Sequence, residues 1–280
     1  MPIRDLGLAL IVAVVWGLNF VVAKLGVAEM PPMLLIALRW MLVAFVALPF
    51  TRLPFGRMRE MVALSAVLGV AHFAFNFTGI KLVDAATASV IAQVQVPMAA
   101  VLGITVMGDR PGKRRIIGMV IAFAGVAVIA GEPRMLDQPL GVILLLAASA
   151  CWAVGGLIAK RLADLPPTTV NAWMALVSAP ALLACSALFE TGQYEALSEV
   201  RPWAWFAIVY MAGPVTLLGY GIWYALLRRH PISTLMPFML LVPVFGVAFG
   251  ALLMGDPLSA QFLIGAVVTL VGLGLLVTAR

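Results

Sequence analysis

A chain of 280 residues in which 64% are hydrophobic and 11% charged holds less than half of the roughly 25% charged residues expected of a soluble domain. Its apolar runs suit helices, which cross the hydrocarbon layer in about 20 residues, and are too long for barrel strands, which need about 10 alternating ones. The net charge of +6 is spread over short connections between these runs, so it speaks of orientation in a membrane and not of nucleic acid.

In chain order the predicted spans are 6–23, 33–50, 61–80, 85–107, 116–130, 140–159, 170–189, 203–227, 232–254 and 258–279. The first is longer than a signal-peptide core, lacks a small-residue cleavage site and leads into further spans, so it is expected to be retained. With the N-terminus in the cytoplasm, thirteen of the 18 lysines and arginines fall inside, four (Lys24, Lys81, Arg134 and Arg201) fall outside, and Arg39 lies within a span. Basic residues are held on the cytoplasmic side during insertion, so both termini are expected there. Cys151 and Cys185 lie inside spans and read as packing residues, not as a disulfide or metal cluster.

In the third span Ser65, Gly69, His72 and Asn76 recur at i, i+4, i+7 and i+11. One helical stripe of small or polar residues is either a cavity wall or a seam that admits a neighbouring helix. The fourth span sets Ser89, Gln93 and Pro97 on one face. Pro97 frees a carbonyl one turn earlier, as Pro237 and Pro243 do in the ninth span, so these prolines are hinge candidates or simply prolines of the kind common in membrane helices. In the eighth span Tyr210, Gly213, Leu217, Tyr220 and Tyr224 keep helical spacing. With Trp16 and Trp152 they would give an aromatic lining, suited to apolar solutes and able to hold an ammonium; an interfacial belt is the competing reading for Tyr210, Trp223 and Tyr224.

Three basic groups remain. Lys24 and Lys160 are expected to close their helices and offset the carbonyl ends of the dipoles. Arg39, about two turns into the second span, needs a carbonyl or carboxylate partner. No predicted span has an acid in its middle, which leaves His72 as the titrating group and favours facilitated over proton-driven movement.

The segment 131–139 divides the chain into two copies, 1–131 and 138–280. Trp16 precedes Lys24 by eight residues, as Trp152 precedes Lys160, and Pro31-Pro32 and Pro166-Pro167 follow. Met107-Gly108-Asp109, Gly118 and Gly125 return as Met254-Gly255-Asp256, Gly265 and Gly272 at a constant offset of 147. Five spans per copy is an odd number, so the copies must be inverted with respect to each other. The reading is an all-α integral membrane protein of ten transmembrane helices in two inverted repeats of five.

Trp16-Gly17-Leu18-Asn19-Phe20 with Lys24, Pro32 with Arg39, Ala86-Thr87-Ala88, Pro97 and Gly108-Asp109 resemble the EamA-type drug/metabolite transporters over the whole chain. The resemblance implies the same ten-helix inverted fold, and within the family it is strongest to ten-helix exporters of aromatic amino acids. The chain departs from the family in having Asp109 and Asp256 where Glu is frequent, and in lacking Gly-x-Asn-Phe after Trp152.

Neither His-Glu-x-x-His, the phosphate-cradling Gly-x-x-x-x-Gly-Lys-Ser/Thr nor Gly-x-Ser-x-Gly occurs, so no enzyme chemistry, cofactor or metal is expected. The expected function is export of small organic metabolites, in particular amino acids with aromatic or large apolar side chains, by alternating access around a midplane cavity. Export as the direction is what the resemblance implies. His72, Asn76 and Gln93 would bond the polar end of the solute, Trp16, Trp152 and Tyr220 would hold its side chain, and Asn19 of the tryptophan motif joins them. The alternatives are a proton-coupled exporter of another metabolite or drug, and a non-transporting scaffold subunit. Gly246 and Gly250 form a Gly-x-x-x-Gly pair, read as internal packing or a weak homodimer contact of an otherwise monomeric chain.

Overall fold

In hydrocarbon a backbone N–H or C=O finds no water, so each apolar segment satisfies itself as a helix. The computed structural model describes residues 1–107, 112–162, 164–199, 201–227, 229–230, 235 and 238–278; among these it is helical without strands. The long helices are α1 (Ile3–Glu29), α2 (Pro32–Ala47), α3 (Met58–Leu82), α4 (Ala85–Val106), α5 (Lys113–Ala130), α6 (Pro139–Lys160), α7 (Pro167–Phe189), α8 (Pro202–Trp223), α9 (Leu241–Met254) and α10 (Ala260–Thr278). Among the described residues eight of them, all except α5 and α9, are long and apolar enough to cross a membrane. Helix α5 opens on Lys113-Arg114-Arg115, and α9 is shorter than the predicted span because a turn at Leu240 precedes its start at Leu241.

Helix starts are set by proline and by carboxylates. Pro32, Pro139, Pro167 and Pro202 occupy the first turn of α2, α6, α7 and α8, where a missing N–H costs nothing. Side chains from neighbouring segments then cap the starts: Glu190 accepts from Met33 N at 2.8 Å, Glu29 from Ala204 N at 2.8 Å and Asp256 from Ala86 N at 2.8 Å. Each of these places an anion at the positive end of a helix dipole. Lys24 departs from the expectation that it ends its own helix, since α1 runs on to Glu29. Its Nζ donates to the carbonyls of Ile80, Lys81 and Val83 at 2.9, 2.9 and 2.6 Å, closing α3 instead.

Helices α2 and α7 pack along each other, as do α3 and α6, while α1 lies against α8 and α9. Helix α4 changes partner along its length: its first half packs on α9 and its second on α6, with a 3-10 turn at Ala92–Val94 between them. Gly246 and Gly250 of α9 face Ser89 and Ala86 of α4, so the Gly-x-x-x-Gly pair serves internal packing. Helices α5 and α10 meet backbone to backbone, where a Cβ on Gly118 would lie 2.8 Å from the Gly272 carbonyl oxygen and one on Gly125 would lie 2.7 Å from that of Gly265. The glycines that marked the repeat in the sequence are therefore one contact.

Candidate functional site

Two widened turns build the site. The backbone takes π-helical geometry over Ser65–His72 in α3 and over Met211–Gly219 in α8, and an i→i+5 turn swings the side chains that follow it onto a new face. In α8 the cause is Pro214, which has no N–H to give and whose ring would strike the carbonyl a turn earlier in a regular helix. The widened turn offers the Val215 carbonyl to Trp16 Nε1–H at 3.2 Å. Beside it Thr216 Oγ1 donates to the Met211 carbonyl at 2.7 Å and accepts an N–H of Arg39 at 2.8 Å. The α3 turn ends at His72, whose Nδ1 lies 2.8 Å from the Ala148 carbonyl of α6. Only an N–H can face a carbonyl, so Nδ1 carries a proton, and in the neutral form of the ring Nε2 is left as an acceptor.

Trp16, Asn19, His72, Asn76, Gln93, Trp152 and Tyr220 all line one cavity of about 160 Å³, together with Arg39, Phe73 and Gln95. A second cavity of about 360 Å³ shares Trp16, Gln93, Trp152 and Tyr220 with it and continues past Trp223 and Met239 to Val277. Jointly they reach the range of small-ligand pockets, roughly 300–1,000 Å³. The wall divides by chemistry. Trp16 stands with its ring 5.0 Å from Tyr220 and 6.0 Å from Trp223, an aromatic corner, while His72, Asn76, Asn19 and Arg39 supply polar groups. Two of these are unsatisfied: Asn19 Oδ1 and Arg39 Nε are buried without a hydrogen-bond partner, although buried polar atoms as a rule find one.

The α3 stripe resolves into both of its readings. Ser65 and Gly69 are buried against α7, with Ser178 Oγ 3.5 Å from the Ser65 carbonyl, whereas His72, at the end of the widened turn, and Asn76, beyond it, reach the cavity. Pro97 and Pro243 are each the third residue of a helix that restarts, after the 3-10 turn at Ala92–Val94 and after the turn at Leu240. Both stand at breaks between helical pieces, not within a continuous helix. Pro237, the Tyr224 side chain and Gly108-Asp109 lie outside the described residues.

The model of the EamA-like transporter family matches residues 5–131 and again residues 139–278. The chain belongs to the EamA-like transporter family. It is 36% identical to a Salmonella typhimurium protein described as a "Probable amino-acid metabolite efflux pump", over 98% of this chain and 94% of that one. An Escherichia coli K12 protein of the same description is 35% identical with the same coverage. A Bacillus subtilis protein, "Uncharacterized transporter YyaM", is 27% identical over 91% of this chain and 88% of its own. A crystal structure at 19% identity superposes with a TM-score of 0.64, covering 98% of this chain and 96% of that one, a likeness of fold alone. This EamA-like chain is thus a multi-pass transporter of the bacterial inner membrane.

For this EamA-like chain, sequence reasoning missed what fixes the site residues in place. The Arg39 partner is a hydroxyl, Thr216, that reaches it from the widened turn of α8. Helical spacing could not have found it, because the spacing itself changes there. For the same reason the Tyr210 stripe does not hold: the Tyr210 hydroxyl donates to the Val15 carbonyl at 2.9 Å against α1, Leu217 is 37% exposed, and only Tyr220 of the described side chains in that stripe lines the cavity.

Proposed function

We propose that the chain exports small amino-acid metabolites with aromatic or large apolar side chains through the cavity between α1, α3, α4, α6 and α8. The observation that carries this reading is one cavity wall that sets His72, Asn76, Asn19 and Arg39 beside the aromatic pair Trp16 and Tyr220, which matches a solute with a charged backbone and an apolar side chain. The description of two relatives, matched over 94% of their length, as probable amino-acid metabolite efflux pumps supports the solute class and the direction. His72, Asn76 and Gln93 bond the polar end; Trp16, Trp152 and Tyr220 hold the side chain, and Asn19 stands beside them.

The mechanism is alternating access by two inverted repeats of five helices with both termini in the cytoplasm. Its support is a structure written twice. The widened turns Ser65–His72 and Met211–Gly219 end 147 residues apart, α5 and α10 begin 147 residues apart, and the family model matches twice. The 3-10 turn of α4 at the point where it changes partner, and the turn before Pro243 in α9, give the path places to bend. No acid lines either cavity among the described residues, and movement down the solute's own gradient follows as the preferred mode.

The test is efflux of labelled tryptophan, phenylalanine, threonine or lysine from proteoliposomes, with and without a pH gradient, for the wild type and His72→Ala. The expected result is protein-dependent efflux of the aromatic pair without a gradient and its loss in the variant. Efflux no faster than from protein-free liposomes, with folded protein present, would move the scaffold reading or another solute class to the front.

A further inference from the structure

Arg39 is 3% exposed and lines the cavity. Its guanidinium Cζ sits 4.9 Å from the ring centroids of both Trp40 and Phe73, which stand 5.2 Å apart, so the cation rests against one aromatic pair. Of the five N–H donors a guanidinium carries, one is spent on Thr216 Oγ1 at 2.8 Å. Nε is buried with no partner, and no carboxylate pairs with Arg39 among the described residues. An arginine that only tied α2 to α8 would be matched with carbonyls or an acid, because an uncompensated charge away from water is expensive and lone ionisable groups inside a membrane mark solute paths. Thr216 is also committed: its proton goes to the Met211 carbonyl, so it can meet Arg39 only as an acceptor. A guanidinium with unspent donors is thus set at a cavity whose described lining supplies no anion.

We propose that Arg39 is the carboxylate anchor of the transported solute, with Asn19 Oδ1 and His72 Nε2 as acceptors for its ammonium group. This rests on the transport reading above and deepens it, since it names the backbone zwitterion of a free amino acid as the required chemistry. Guanidinium suits the task because its planar fork takes a carboxylate through two parallel bonds. The solute's side chain then extends to the corner made by Trp16 and Tyr220.

The experiment uses purified full-length protein and needs no variant for its first arm. Thermal stabilisation by phenylalanine, by phenethylamine, which lacks the carboxylate, and by phenylpropionate, which lacks the ammonium, is measured beside efflux of labelled phenylalanine. The wild type is expected to bind phenylalanine at least about tenfold more tightly than phenethylamine, as removing one partner of a charge-assisted pair implies. Arg39→Gln is expected to remove that preference and Arg39→Lys to keep part of it. Thr216→Val, which leaves the charge but frees the fork, covers the case in which Arg39→Gln does not fold, and it is expected to reduce the preference. Equal binding of phenylalanine and phenethylamine by the wild type overturns the anchor even where phenylalanine is exported. Selective binding of phenylalanine without efflux would uphold the anchor and sink the exporter reading instead.

Discussion

The seam between α5 and α10 and the cavity beside α1, α3 and α8 both arise where apolar helices meet, yet they are opposite solutions. At the seam glycines strip away side chains until backbone touches backbone, and an added Cβ would meet a backbone atom of the partner helix. At the cavity large aromatic rings and polar groups hold the helices apart, two of the polar atoms lack partners, and the walls come from helices with widened or broken turns. The close packing of small residues that drives helix association in lipid is thus segregated from the irregular backbone that membranes tolerate only where it is buried or lines a cavity. The difference teaches where stability and function are separable.

The strongest way to break that contrast is Gly272→Leu. Its Cβ would stand 2.8 Å from the Gly118 carbonyl oxygen, a backbone atom that cannot swing aside. A cost of about 3 kcal/mol or more is expected from such overpacking, seen as a large fall in melting temperature and in folded yield from detergent. Wild-type melting would show that α5 and α10 are not a rigid seam. Lys24→Met is expected to cost less, about 2 kcal/mol, since it removes three charge-assisted bonds to the end of α3 from a partly buried position. Melting of the purified variant checks it, and no change would mean that water replaces the lysine at that helix end.

The glycines of the seam were legible in the sequence as repeat positions, though their contact was not, and the cavity was half legible. Gly118, Gly125, Gly265 and Gly272 stood out as equivalent positions because a contact without side chains demands glycine. His72, Asn76, Gln93, Trp16, Trp152 and Tyr220 could be named because polar and aromatic groups are conspicuous among Leu, Val and Ala, and all of them do line one cavity. What could not be read was the widening of α3 and α8. Pro214 was passed over in favour of the tyrosine spacing, and whether a helix with an internal proline kinks or widens depends on what its neighbours offer, here Arg39 and Trp16. Lys24 was misplaced for a similar reason: a helix end looks the same in sequence whether or not the helix continues, and α1 continues to Glu29.

The reciprocal test of the contrast is Asn76→Ala. Asn76 is partly exposed and lines the cavity. The melting temperature should therefore correspond to a change within about 1 kcal/mol, while efflux of phenylalanine falls about tenfold, the worth of one hydrogen bond to a charged group. A variant that melts early and transports normally would reverse the assignment of stability and function to the two regions.

The smallest expected effect concerns the tie between α4 and α9, whose Ala86, Val90 and Val247 pack against Ile129, Phe262 and Ala266 of the seam helices. Asp256 accepts from Ala86 N at the start of α4. Burial holds its carboxyl above the usual carboxylate range, the Ala86 bond opposes this, Asp84 adds repulsion and Lys24 opposes it again. The folded chain therefore keeps this proton more tightly than the unfolded chain does. Stability linked to Asp256 is fully present below its ordinary pKa of about 4 and is lost as pH rises through the raised folded value. Asp256→Asn keeps an oxygen for Ala86 and removes the ionisation, so the melting temperature of the variant should gain on the wild type between about pH 4 and 7. A constant gap across that interval would mean that water reaches the carboxylate freely. The junction would then belong with the hydrated parts of the molecule and not with the close packing of the seam.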